Sequence, residues 1–113
     1  MNLDWIRKCC MSFPHVTEHV QWESLVFKVG GKIIAIAPLE PSGAVLSFKA
    51  SPDDFAELTE IPGIIPAPYL ARAQWVALES EDALSRVEIK RLLRRSYDLV
   101  LAKLPRKLQK ELV

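Results

Sequence analysis

LVFKVGGKIIAIA, residues 25–37, decides the fold. Two runs rich in β-branched and bulky apolar residues flank Gly30-Gly31, the composition of a two-residue hairpin turn. With that turn, Val29 pairs with Lys32, Phe27 with Ile34 and Leu25 with Ile36. Side chains alternate along a strand, so these pairs share one face, and its bulky apolar character makes it the core face. The opposite face carries Lys28 against Ile33 and Val26 against Ala35.

The flanking segments read outward from this hairpin. Upstream, a helix over about residues 3–11 places Leu3, Ile6 and Cys10 on one stripe, with Asn2 as its cap and Pro14 closing it. Residues 16–20 are read as a second short turn. Downstream, PLEPSG (38–43) is a loop, and residues 44–49 form a third strand in which Leu46 and Phe48 alternate with Ser47 and Lys49. Ser51-Pro52-Asp53-Asp54 starts a helix: a serine cap, proline at the first helical position, and acids facing the helix dipole. That helix runs to about Thr59 and buries Phe55 and Leu58. The proline-rich stretch 62–68 breaks any helix and suits a short edge strand reaching Leu70. Residues 74–79 read as the last strand, with Val76 and Leu78 inward and Trp75, Ala77 and Glu79 outward. Ser85 and Glu88 make a capping box for a long helix that Pro105 limits at about Leu104. The predicted order is α-β-β-β-α-β-β-α. It is an α+β, two-layer domain, with an antiparallel sheet of about five strands and three helices on one face.

Length and composition agree with that reading. The 113 residues are half apolar, with 26% charged and a net charge of +1, which fits one globular domain and argues against a disordered chain. No apolar run approaches the ~18–20 residues needed to span a bilayer. MNLDWIRKCC lacks the apolar core and cleavage site of a secretory leader, so a cytosolic protein without membrane association is expected. The balanced charge hides an asymmetry. Residues 1–85 hold six Lys/Arg against eleven Asp/Glu, a net of −5, whereas residues 86–113 hold nine against three, a net of +6. A basic end on an acidic body suits a nucleic acid or an acidic protein, and the plainer reading is the solvated outer face of a C-terminal helix.

Several of these stretches together have a familiar order. FKVGGK (27–32), LSFK (46–49), PGIIPAPYLARAQWV (62–76) and SYDLVLAKLP (96–105) resemble the MmcQ/YjbR-like family of small bacterial proteins, from about residue 13 to residue 107. The resemblance implies one domain over residues 1–113, with a fold like that of type III secretion chaperones or bacterial frataxin homologues. Family members are commonly described as DNA-binding on structural grounds, which is an association and not a mechanism. No catalytic residues are established for the family, so the resemblance brings none. Where the family often has a basic or amide pair before the tryptophan, this chain has Ala73-Gln74. Tyr69 and Tyr97 belong to the family pattern, and an architectural role explains both: a ring filling core volume and a hydroxyl finding a buried partner.

Catalytic and metal chemistry find little support in the residues, so the protein is expected not to be an enzyme, with no cofactor and no small-molecule substrate. His15 and His19 are four apart, a helical ligand spacing, but Pro14 unsettles a helix there and no HExxH pattern is present. Asp53, Asp54, Glu57 and Glu60 form a short acidic face that capping and solvation explain. Adjacent Cys9 and Cys10 read as buried small residues. Gly30-Gly31 is a turn and not a phosphate loop.

Two surfaces remain. On the outer sheet face, Lys28, Ser47, Lys49 and Trp75 point away from the helices, and lysines interleaved with an indole suit phosphate neutralisation and base stacking. The same pattern fits a solvated face whose tryptophan is covered by a loop or by a second copy. On the last helix, Lys90, Arg91, Arg94 and Arg95 lie opposite the apolar stripe, and Lys103, Arg106, Lys107 and Lys110 continue the strip. Such a strip can lie along a duplex backbone with little sequence preference, since no base-reading motif accompanies it. Two functions follow as expectations. One is a non-enzymatic DNA-binding protein using the basic helix and tail. The other is a protein-interaction or chaperone-like module, meeting a partner or a second copy through the outer sheet face.

Overall fold

The structure, a computed structural model, describes residues 2–40, 43–68, 70 and 73–112. Its elements are α1 (Leu3–Met11), β1 (Thr17–Gln21), β2 (Ser24–Val29), β3 (Lys32–Pro38), β4 (Leu46–Lys49), α2 (Pro52–Leu58), β5 (Ile64–Pro66), β6 (Trp75–Leu78), α3 (Arg86–Ala102) and α4 (Arg106–Leu112). All six strands pair antiparallel in the order β1-β2-β3-β4-β6-β5. The α+β architecture expected from the sequence is therefore present, with one more strand and one more helix. Among the described residues, no helix is long and apolar enough to cross a membrane.

The hairpin forms as its glycines require. Gly30 and Gly31 both adopt positive φ, 57° and 81°, the backbone of a two-residue turn matched to strand twist. Val29 pairs with Lys32, and Lys28 with Ile33. Beyond that point the register departs from simple alternation. A bulge between Phe27 and Lys28 shifts the ladder, so Phe27 pairs with Ala35, Val26 with Ile36 and Leu25 with Ala37. The extra residue accommodated in β3 lets Ile34 and Ala35 both reach the core. It also sends Ile36, expected in the core, to the opposite face.

α1 packs on α3 and β3, while α3 covers β2, β3 and β4, and α2 lies beside β5 and β6. Between these layers Phe27, Phe48, Ile34, Leu46, Leu78, Ile89 and Leu93 are fully enclosed. Local capping agrees with the sequence: Asn2, Ser51 and Ser85 each accept a backbone N–H at the start of their helix. Tyr97 is buried at 3% exposure, its hydroxyl donating to the Pro14 carbonyl at 2.9 Å and its ring 5.4 Å from Phe13. That is the architectural role expected of it. Tyr69 lies outside the described residues.

Three expectations need correction. Residues 17–21 are an edge strand and not a turn, because pairing with β2 overrides the weak strand preference of TEHVQ. The hairpin joining them turns on Trp22 and Glu23, both at positive φ (51° and 57°), where sequence usually shows glycine or asparagine. The long helix ends before Pro105 as expected, but a further helix, α4, follows where a tail was read. α3 stops at Ala102, and the Pro105 carbonyl accepts the first bond of α4 from the Gln109 N–H at 3.0 Å. Finally, Trp75 faces outward as expected but is only 7% exposed. The chain after β5 folds back over this face, with the Ala67 N–H donating to Trp75 and the Trp75 N–H to Leu70. Trp75 thereby joins Ala67 and Ala77 in a second small cluster, flanked by Ile33, Ile36, Ile65 and Leu70.

Candidate nucleic-acid interface

β3 and β4 pair through only two residue pairs, Ala35 with Phe48 and Ile36 with Ser47. Toward the hairpin tip the strands separate, and a side chain from the helix layer closes the ladder. The hydroxyl of Ser96, fully buried, donates to the Ile34 carbonyl at 2.7 Å and accepts from the Lys49 N–H at 3.1 Å. Those two backbone groups would otherwise lack a strand partner, and buried groups of this kind must be paired. One turn further along α3 Val100 continues the same helix face, and Lys103 and Leu104 follow just past the helix end. They meet the diverging strands in a cleft of about 240 Å³, whose remaining walls are Lys32, Ile33, Lys49 and Trp75.

This cleft combines an apolar floor with three lysines, from β3, β4 and the end of α3. Lys49 is half-buried, and its Nζ donates to the Ala73 carbonyl at 2.8 Å. Burial, and then the neighbouring Lys103 ammonium, hold its pKa below the ordinary lysine range. Like charges brought together in this way favour a bound anion. The wall is completed by docking of the C-terminal corner on the hairpin. A Cβ at Gly30 would lie 2.6 Å from Leu104 Cδ1 and 3.2 Å from Leu108 Cδ2, so the tip fits directly under these leucines. Gln109 fixes the corner, its Nε2 donating to the carbonyls of Leu104 at 2.6 Å and Ala102 at 3.3 Å. The segment read from sequence as a tail is thus an ordered helix, on which Arg106, Lys107 and Lys110 are exposed.

The basic face of α3 is exposed as the sequence indicates, but its charge is largely cancelled. Arg91 pairs with Glu88 at 3.0 Å and Arg94 with Asp98 at 3.2 Å. Arg95 reaches Asp54 of α2 at 2.9 Å, an ion contact that is not a directed hydrogen bond. Arg94 also lies over the rings of Tyr97 and Phe13, at 5.0 and 5.6 Å. Only Lys90 of that quartet has no acidic partner among the described residues, and it sits away from the cleft, beside Trp5 and Cys9. By contrast, Lys32, Lys103, Arg106, Lys107 and Lys110 have no acidic partner among the described residues. Lys28 is half-buried on β2 and does not line the cleft.

Other candidate chemistry is dispersed. His15 lies in a loop at φ 63°, while His19 is on β1 and bonds Thr17 Oγ1 at 2.8 Å, so the two are not on one helix. Cys9 and Cys10 are free and buried in α1. Burial pushes both thiols up, with Lys90 opposing the shift at Cys9. Among the described residues, no group of three or more His, Cys, Asp or Glu side chains is arranged to hold a metal ion.

The YjbR family model matches residues 11–99. The chain belongs to the YjbR family. It is similar to Deinococcus radiodurans protein DR2400, which carries the family domain DUF419. The two share 30% identity with a TM-score of 0.87, over 98% of this chain and 87% of that one. A Pseudomonas syringae protein shares the fold, with 22% identity and a TM-score of 0.70 over 88% of this chain and 98% of its own. No curated protein matches the chain.

The YjbR match stops at Leu99, so Lys103 and all of α4 lie beyond it. In this YjbR protein Lys32 and Lys49 lie within the matched residues, while Lys103, Arg106, Lys107 and Lys110 follow them. Sequence reasoning overlooked Lys32, although its position directly after the glycine turn puts it at the hairpin tip. Trp75 is a wall of the cleft and not an exposed stacking platform.

Proposed function

We propose that this YjbR-family protein is a non-enzymatic nucleic-acid-binding protein whose contacts are weak and largely independent of sequence. Its contact surface is the basic end built from Lys32, Lys49, Lys103, Arg106 and Lys107, and not the arginine face of α3. The observation that supports this most is the pattern of pairing. Arg91, Arg94 and Arg95 each have a carboxylate, whereas Lys32, Lys103, Arg106 and Lys107 have none among the described residues. A cation already neutralised adds little to the field felt by a phosphate, and an unpaired one releases a counterion on binding. The apolar floor beside the lysines also suits the edge of one unstacked base, so single strands and duplexes are both ligands in this reading. Two thiols kept free and buried are in keeping with a reducing cytosol, the compartment we assign.

Fluorescence anisotropy with labelled mixed-sequence duplex and single strand tests the reading. The expected affinity at low salt is about micromolar or weaker, with a log–log salt slope of about −3 to −4.5 for three to five phosphate contacts on duplex. Absence of binding to either ligand at low salt overturns it.

A further inference from the structure

The two edges of the sheet are built differently. β5 has three residues, ends in Pro66 and is followed by Pro68, and proline offers no N–H to an added strand. β1 has five residues, TEHVQ, with no proline, lysine or bulge to discourage pairing. The two-residue turn makes Gln21 and Ser24 the hydrogen-bonded pair that closes the hairpin. By alternation, Thr17, His19 and Gln21 direct their backbone groups to β2, while Glu18 and Val20 direct theirs outward.

Apolar side chains mark the same edge. Val20 is 66% exposed and Trp22 72%. Leu39 is 43% exposed and is tied alongside by its N–H to the Glu23 carbonyl at 3.1 Å. Trp22 is also held at φ 51°, a backbone conformation that glycine would adopt with less strain. A bulky indole kept in that place at the end of an open strand is 72% exposed and has no ring or cation partner among the described residues.

We infer that β1 pairs antiparallel with β1 of a second copy, about a twofold axis through Val20. This register sets Val20 against Val20 of the second copy, a β-branched pair, and Glu18 against Trp22. It uses the outward backbone groups and opposes no like charges. Arg7 from α1 already pairs with Glu18, so its guanidinium is placed to meet the indole of the second copy. An axis through His19 would instead set exposed Val20 against a carboxylate. The self-complementarity of this short segment is what selects a second copy over an unrelated strand. The basic cleft opens between β3 and β4, away from this edge, so the inference does not rest on the proposed function.

Sedimentation equilibrium over low-micromolar to near-millimolar protein tests it, with Val20→Lys and Trp22→Gly compared with the parent. The parent should rise from monomer to dimer mass and no further. Val20→Lys puts two ammonium groups in direct opposition and should weaken association about tenfold or more without changing the monomer's fold. Trp22→Gly should weaken association while the dilute protein melts no lower than the parent, since turn strain is relieved. A parent that stays monomeric throughout, a mass beyond dimer, or a Val20→Lys protein that dimerises like the parent overturns the inference.

Discussion

Replacing Ser96 by alanine isolates the hydroxyl that bridges the diverging strands. Ser96 is 0% exposed, and its oxygen serves both the Ile34 carbonyl and the Lys49 N–H. Ser96→Ala leaves both groups without their partner. An unsatisfied buried backbone group costs about 1–3 kcal/mol. Ile34 is fully enclosed, whereas Lys49 borders the cleft and its amide can recruit water, so about 2–4 kcal/mol in total is expected. For a domain of this size that corresponds to a fall in Tm of roughly 8–15 °C. Urea and thermal melts measure the loss, and amide hydrogen exchange locates it, with Lys49 expected to lose protection first. Ser47→Ala is the control, because Ser47 makes no side-chain hydrogen bond to a described residue; it should stay within about 0.5 kcal/mol of the parent. A Ser96→Ala protein equally close to the parent, with Lys49 still protected, would refute the bridge.

Three further outcomes follow from particular contacts. Tyr97→Phe should cost about 1 kcal/mol by removing the bond to Pro14, and Tyr97→Ala about 3 kcal/mol or more by emptying core volume, both read from urea melts. Gly30→Ala should destabilise more than Gly31→Ala, since both need positive φ but only Gly30 lies against Leu104; thermal melts of the two variants give the order. As pH rises from neutrality, Lys49 should lose its charge before an ordinary lysine, because burial lowers its pKa. A lowered value in a base means that its charged form opposes folding, so this cost to stability is present below the folded pKa and is relieved as pH rises through it. Nucleic-acid affinity at constant ionic strength should fall over the same range, and Lys49→Arg should hold its affinity to higher pH.

Much of the fold was legible because it rests on local chemistry. The glycine pair of the hairpin, the serine caps and the stripe Ile89, Leu93 and Val100 each declare themselves within a few residues. The parts that were not legible depend on contacts between distant segments. β1 has only Thr17 and Val20 as strand-favouring residues and turns on Trp22-Glu23, so its pairing with β2 decides that it is a strand. The bulge at Phe27 has no composition signal, yet it moves Ile36 to the outer face and helps to open the gap that Ser96 bridges. The candidate site was legible in its residues but not in its weighting. Sequence spacing correctly exposes Arg91, Arg94 and Arg95, but Asp54 is 41 positions from Arg95, and no periodicity announces that pair. Lys49, Lys103 and Trp75, singled out separately on two surfaces, line one cleft because α3 runs past the open end of the β3–β4 ladder.

The central claim is that unpaired cations at the cleft and α4, and not the paired arginines of α3, contact phosphate. The direct measurement is the salt dependence of duplex binding for two triple charge reversals, Lys103→Glu/Arg106→Glu/Lys107→Glu and Arg91→Glu/Arg94→Glu/Arg95→Glu. All six side chains are exposed, so both proteins should fold. The first variant should lose binding and flatten the log–log slope by about 2–3, the value for three lost phosphate contacts. The second should keep nearly the parental slope. The reverse pattern, with the arginine variant losing the slope and the cleft variant retaining it, would contradict the account.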